Sequence, residues 1–186
     1  MFRQMPSETT ADKLIKECPP EFQVSPKMHQ SVTHFKRLKS ETIPIVEEFL
    51  KPLSKLERVG MLGPTLIQLP PNFAANYELL DAFFSSAPRA CYAIEFRHAS
   101  WQTTETEGLL RRHGVAWVAD DTDEADAVIR DTSGFFYVRL RKTDYSDAQL
   151  QDWARRLGGL EASVYVRHTD VESPWIWADR LVELTR

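Results

Sequence analysis

The sequence has no positive excess, few glycines and almost no cysteine. Its 186 residues carry 23 Lys and Arg against 27 Asp and Glu, a formal net charge of -4. Nucleic-acid modules usually carry a basic excess on one face, so a polyanion is disfavoured as a partner and only local basic clusters keep it in view. The 2 cysteines, Cys18 and Cys91, lie far apart and fit no metal-ligand spacing. They read as reduced thiols in an intracellular protein. With only 7 glycines there is no Gly-x-Gly-x-x-Gly, no P-loop and no Gly-x-Ser-x-Gly elbow, which disfavours nucleotide cofactors and serine-hydrolase chemistry. No apolar run approaches the roughly 20 residues of a membrane-spanning helix. The nearest, Ile43 to Leu50, is broken by Glu47 and Glu48, and Met1 to Glu8 has no apolar leader core. A cytoplasmic protein without a membrane segment is expected.

What is present suits one folded domain over 1–186, with 42% hydrophobic and 27% charged residues. Ser7 is placed to cap a helix from Thr10 to Glu17, stopped by Pro19-Pro20. Alternation predicts a strand over Phe22 to Lys27, then helical spacing from Glu41 to Leu56 with Pro52 as a kink. Further strands are predicted at Thr65 to Leu69, from Cys91, at Val115 to Ala119, Phe135 to Arg141 and Ser163 to Arg167. Helices are predicted at Tyr77 to Ser85, Glu105 to His113, Ser146 to Leu157 and Pro174 to Leu184, with a short helix within Thr122 to Ser133. Strand–helix alternation is the pattern of an α/β protein with a parallel sheet. A repeat of roughly 30 residues matches the units of a (β/α) barrel. About six strands are visible, where such a barrel has eight.

Period-two alternation sorts the strand side chains. Phe136, Val138 and Leu140 fall on one side of their strand, with Tyr137, Arg139 and Arg141 on the other. Likewise Ile94 and Phe96 oppose Ala93, Glu95 and Arg97, and Val164 and Val166 oppose Ser163, Tyr165 and Arg167. A half-solvated antiparallel sheet would also alternate, but helices between the strands favour covered faces. The pattern then predicts a mouth lined at the strand C-termini by Lys27, Gln68, Glu95, Arg97, Asp120 or Asp121, Arg139 and Arg141. The densest stretch is Glu95-Phe96-Arg97-His98-Ala99-Ser100-Trp101, where an apolar run ends in a carboxylate, a guanidinium, an imidazole and an indole. Burying such charges without partners is costly, which points to a site.

This string, with Lys27-Met28-His29, Thr33-His34, Gln68-Leu69-Pro70-Pro71, Tyr137-Val138-Arg139-Leu140 and Tyr165-Val166-Arg167-His168-Thr169-Asp170, resembles the YecE-like family, a domain of unknown function numbered 72. The resemblance implies a TIM-barrel-like fold and no established activity. It also implies an amino-terminal departure. Members begin with a Gly-Thr-Ser-Gly-Trp-like strand, a helix and a second strand, of which Met1 to Glu8 reads as the tail. A misassigned start, a fragment and a shortened variant all fit that difference. Exposed sheet edges would then favour oligomerisation.

The candidate catalytic residues are Glu95, His98, Asp120 and Asp121; the candidate substrate-binding residues are Lys27, His34, Gln68, Arg97, Trp101, Arg139 and Arg141. Glu95 and Arg97 read either as a structural ion pair or as an acid–base group beside an anion holder. His98 has an unperturbed pKa near neutrality, but it could equally serve structure. Arg forks match phosphate and carboxylate, so a small anionic substrate is favoured. Trp101 suits stacking on a ring or packing in a core. His29, His34, Glu95, His98, Asp120, Asp121, His168 and Asp170 are ligand types for a divalent ion, yet show no compact metal spacing. The expected function is acid–base chemistry on a small anion. A non-catalytic nucleic-acid- or protein-binding module and an inactive remnant are the alternatives.

Overall fold

Side-chain caps set the starts of the helices. Ser7 Oγ accepts from Thr10 N at 3.1 Å, Asn76 Oδ1 from Leu79 N at 2.9 Å and Thr103 Oγ1 from Thr106 N at 3.2 Å. Ser146 and Gln149 cap each other's backbone reciprocally. The computed structural model describes residues 3–167 and 173–185. The helices are α1 (Glu8–Glu17), α2 (Ile43–Arg58), α3 (Tyr77–Ser86), α4 (Thr104–His113), α5 (Asp147–Leu157) and α6 (Ser173–Thr185). Gly114, at φ 63°, ends α4 in the left-handed conformation that glycine adopts without strain. α2 runs through Pro52.

The strands are β1 (Thr65–Gln68), β2 (Tyr92–Glu95), β3 (Ala116–Trp117), β4 (Ala119–Asp121), β5 (Phe136–Leu140) and β6 (Ala162–Val166). They form two parallel sheets, ordered β1-β2-β3 and β4-β5-β6. One stretch of chain supplies both β3 and β4. It changes sheets at Val118, whose N–H donates to Ile94 O at 2.9 Å. Neither sheet closes on itself among the described residues.

Three expectations are corrected. The predicted strand Phe22 to Lys27 is two isolated parallel bridges, Val24 to Leu62 and Lys27 to Leu66. Pro26, between them, has no N–H to continue a ladder. The Thr122 to Ser133 segment forms no helix. Asp121 Oδ1 takes Ala127 N, Thr122 Oγ1 takes Ala125 N and Asp131 Oδ1 takes Gly134 N, so local side-chain bonds displace the helical ones. Residues 3–7 carry no strand either.

The strand faces divide the core. Ile67, Ile94 and Trp117 pack outward in one cluster with residues of α1 to α4. Val138 and Leu140 pack outward with residues of α5 and α6. Inward, Leu66, Ala93, Ala116, Val118 and Tyr137 make a small apolar layer, flanked by Phe135 and Tyr165. Tyr165 stacks on Tyr137 at 4.7 Å, and its hydroxyl meets that of Ser25, beside the other end of the strand array. Tyr165→Phe deletes one hydrogen bond and is expected to lower stability by about 1 kcal/mol, measured by urea denaturation. An unchanged midpoint would mean that this contact ties nothing together.

Candidate functional site at the carboxyl ends of the strands

The inner faces change from apolar to charged toward the carboxyl ends of the strands. Strand register sets Gln68 beside Glu95 and Asp120 beside Arg139. Glu95 is 1% exposed and forms the hub. Its Oε1 accepts from Gln68 Nε2 at 2.7 Å and from Arg97 Nε at 2.8 Å, while its Oε2 accepts from Arg139 Nη1. Lys27 Nζ donates to Gln68 Oε1 at 2.6 Å. Arg141 Nη1 donates to Asp120 Oδ2 at 2.8 Å and lies 4.0 Å from Glu95 Oε1. Among the described residues, four cationic side chains thus adjoin two carboxylates.

Charge and burial compete at each group. Burial pushes the Glu95 carboxyl up, but the Arg139 charge and the Arg97 and Arg139 hydrogen bonds outweigh it and hold the carboxyl below its ordinary value. Burial and the Glu95 charge push Asp120 up, against the pull of Arg141 and Arg139. Asp120 Oδ1 is buried and makes no hydrogen bond to a described residue. Lys27 is lowered by burial, opposed by Glu95 and reinforced by the three guanidinium groups.

His34 reaches the same rim from a π-helical turn, Ser31–Phe35. Its Nδ1 lies 2.8 Å from Thr33 Oγ1. Burial, then the charges of Lys27, Arg97 and Arg37, lower its pKa. The turn leads into two successive left-handed residues, Arg37 at φ 49° and Leu38 at φ 61°. Such a conformation is rare outside glycine and is held here by burial of Leu38.

Three candidates lie elsewhere. Asp121 points to the outer side, where it accepts from Ala127 N at 3.0 Å, Tyr145 Oη at 2.9 Å and Trp153 Nε1 at 3.3 Å. Neighbouring strand residues face opposite sides, so Asp120 and Asp121 cannot share the rim. Trp101 is 1% exposed. It stacks on Phe96 at 4.6 Å and donates Nε1 to Phe73 O at 2.8 Å, which leaves no ring face for a ligand. His98 caps the turn Ala99–Trp101, with Nδ1 accepting from Ser100 N at 3.2 Å. No group of three or more His, Cys, Asp or Glu among the described residues could hold a metal ion. His168 and Asp170 lie outside the described residues.

Beside the rim lies a cavity of about 560 Å³, lined by Arg97, Asp120 and Arg141 and by residues of the 122–130 loop. Arg130 and Gln102 also line it, joined by a 3.1 Å hydrogen bond. Sequence reading missed both, because Gln102 follows the turn Ala99–Trp101 and Arg130 lies in the loop, neither on a strand whose alternation would assign a face.

Residues 1–184 match the protein family described as Protein of unknown function DUF72. The chain belongs to the DUF72 family. This is the YecE-like family that its motifs resemble. The DUF72 chain is similar to a DUF72 family protein from Thermotoga maritima at 22% identity and a TM-score of 0.74, over 99% of this chain and 81% of that one. A DUF72 family protein from Enterococcus faecalis gives 14% identity and a TM-score of 0.76, over 99% and 82%. Identities this low speak for the fold alone. No curated protein is significantly similar to the DUF72 chain, and none of its described helices is long and apolar enough to cross a membrane.

Proposed function

We propose that this protein is an enzyme acting on a small phosphorylated or carboxylated substrate, by acid–base chemistry at the mouth of a barrel-like wall. The Ser25–Tyr165 contact between the two ends of the strand array supports the curl of that wall. The observation that carries the functional reading is the state of Arg97. Its Nε is spent on Glu95, which fixes the guanidinium, while its terminal nitrogens make no hydrogen bond to a described residue and the side chain is 34% exposed at the cavity. Arg141, turned by Asp120, lines the same cavity. Two oriented guanidinium groups suit an oxyanion.

Glu95 is then a positioning residue. Proton transfer by Glu95 would break the bonds that hold the cations together. Asp120 is the acid–base group, because its raised pKa keeps a proton available at higher pH than an exposed aspartate would. A bound anion raises it further.

Calorimetric titration with inorganic phosphate and with acetate tests the first half. Charge-assisted hydrogen bonds contribute roughly 1.5–3 kcal/mol, so Arg97→Ala is expected to weaken binding at least about tenfold. Turnover of a mixture of small phosphorylated and carboxylated compounds, followed by NMR, tests the second. Asp120→Asn is expected to bind and not to turn over. Wild-type binding by Arg97→Ala would remove the anion site, and wild-type turnover by Asp120→Asn would remove the catalytic assignment.

A further inference from the structure

Resting on that anion site, we infer that the substrate carries a flat apolar body, so that aryl oxyanions fit better than polyhydroxylated ones. At about 560 Å³, the cavity beside Arg97 and Arg141 is larger than a bare phosphate requires and falls within the range usual for small-molecule sites, roughly 300–1,000 Å³. Its remaining wall is mixed: beside Gln102, Thr122 and the Glu124 and Asp126 carboxylates it has an apolar part. Phe96, Val118 and Ala127 contribute to it, and Val128, 55% exposed, stands at its rim.

The neutral polar side chains that could meet sugar hydroxyls each already accept a hydrogen bond. Gln102 Oε1 accepts from Arg130 at 3.1 Å, and Thr122 Oγ1 accepts from Ala125 N at 3.2 Å. Asp126, also on the wall, is held by Lys142 Nζ at 2.6 Å. A ligand rich in hydroxyls would therefore recover only part of the hydrogen bonds it gives up to water, through the Gln102 amide N–H, the Thr122 O–H and the Glu124 carboxylate, while an apolar body gives up none.

Arg130 gives the wall its shape. Its guanidinium carbon lies 4.3 Å from the centroid of the Trp117 ring, and Gln102 pins one terminal nitrogen. A guanidinium held over an indole face offers a planar cation on which an aromatic group can stack. Anion clamp and planar cation border one cavity. An aryl phosphate or aryl carboxylate has the matching two-part chemistry.

The test titrates the full chain with inorganic phosphate, phenyl phosphate, glycerol 3-phosphate and benzoate. Phenyl phosphate is expected to bind at least about tenfold more tightly than glycerol 3-phosphate, which should stay near inorganic phosphate, a difference of roughly 1.4 kcal/mol. In Arg130→Gln the ratio of phenyl phosphate to inorganic phosphate affinity should fall to within about threefold of unity; taking the ratio cancels the lost charge. Benzoate binding more tightly than acetate would extend the preference to carboxylates, and benzoate alone binding would assign the site to them. If inorganic phosphate binds in an Arg97-dependent way but phenyl phosphate gains nothing over glycerol 3-phosphate, the aryl assignment is overturned and the anion site stands. If none of the four probes binds, both fall.

Discussion

Replacing Glu95 by glutamine is expected to destabilise the protein by about 3–5 kcal/mol, the usual cost of removing one partner from a buried ion pair. The substitution keeps the shape of the side chain, removes its charge and replaces one acceptor oxygen by an NH2 donor. Arg97 and Arg139 each donate to that carboxylate, and Arg141 lies 4.0 Å from it. In the variant these guanidinium groups face one another across a side chain that is 1% exposed in the parent. Urea denaturation of parent and variant near pH 7 measures the loss. The folded-state pKa of Glu95 lies below its ordinary value of 4.5, so its contribution is fully present above 4.5 and is lost as pH falls through the folded value. The gap between parent and variant should therefore be widest near neutrality and close in acid. A loss under about 1 kcal/mol at neutral pH would show that the arginines do not depend on Glu95. A gap that widened in acid would contradict the direction of its shift.

Trp101→Ala should lower stability by a similar amount, about 3–5 kcal/mol, through loss of packing and the cavity left behind. The indole stacks on Phe96 at 4.6 Å and meets Phe73 and Tyr77 edge-on at 6.1 and 5.8 Å. Its N–H is also the donor to the Phe73 carbonyl. Because the ring's aromatic contacts are with Phe96, Phe73 and Tyr77 and its hydrogen bond is to the Phe73 carbonyl, away from the charged groups of the rim, phosphate affinity measured well below the melting transition should change less than about twofold. Trp101→Phe should recover most of the stability and still leave the Phe73 carbonyl without its donor, a residual cost of about 1 kcal/mol. If Trp101→Ala melted like the parent and bound phosphate far more weakly, the residue would belong to the ligand site after all.

Much of the rim was legible because side chains on a strand alternate. Glu95 and Arg97, or Arg139 and Arg141, share a face wherever their strands lie, and parallel strands end together. The choice between Asp120 and Asp121 was not legible. Both alternating sets before them, Ala116 with Val118 and Trp117 with Ala119, are apolar, so hydrophobicity gives no phase to that strand. The structure supplies the phase by placing Ala116 and Val118 in the inner layer. Trp101 shows the same limit, since an indole after a strand serves a pocket or a core equally well. The short helix expected within the 122–133 segment does not form, because its Asp and Thr side chains capture the backbone first.

Local chemistry in the chain therefore determined the alternation of strands and helices, the helix caps and the pairing of charge with strand ends, since each depends on neighbours a few residues away. Tertiary structure alone decided that the chain passes between sheets at Val118, that Asp121 and Trp101 turn into packing, and that Arg97, bound to Glu95 through Nε, lines a cavity. Those outcomes depend on contacts between residues far apart in sequence, whose geometry no local pattern encodes.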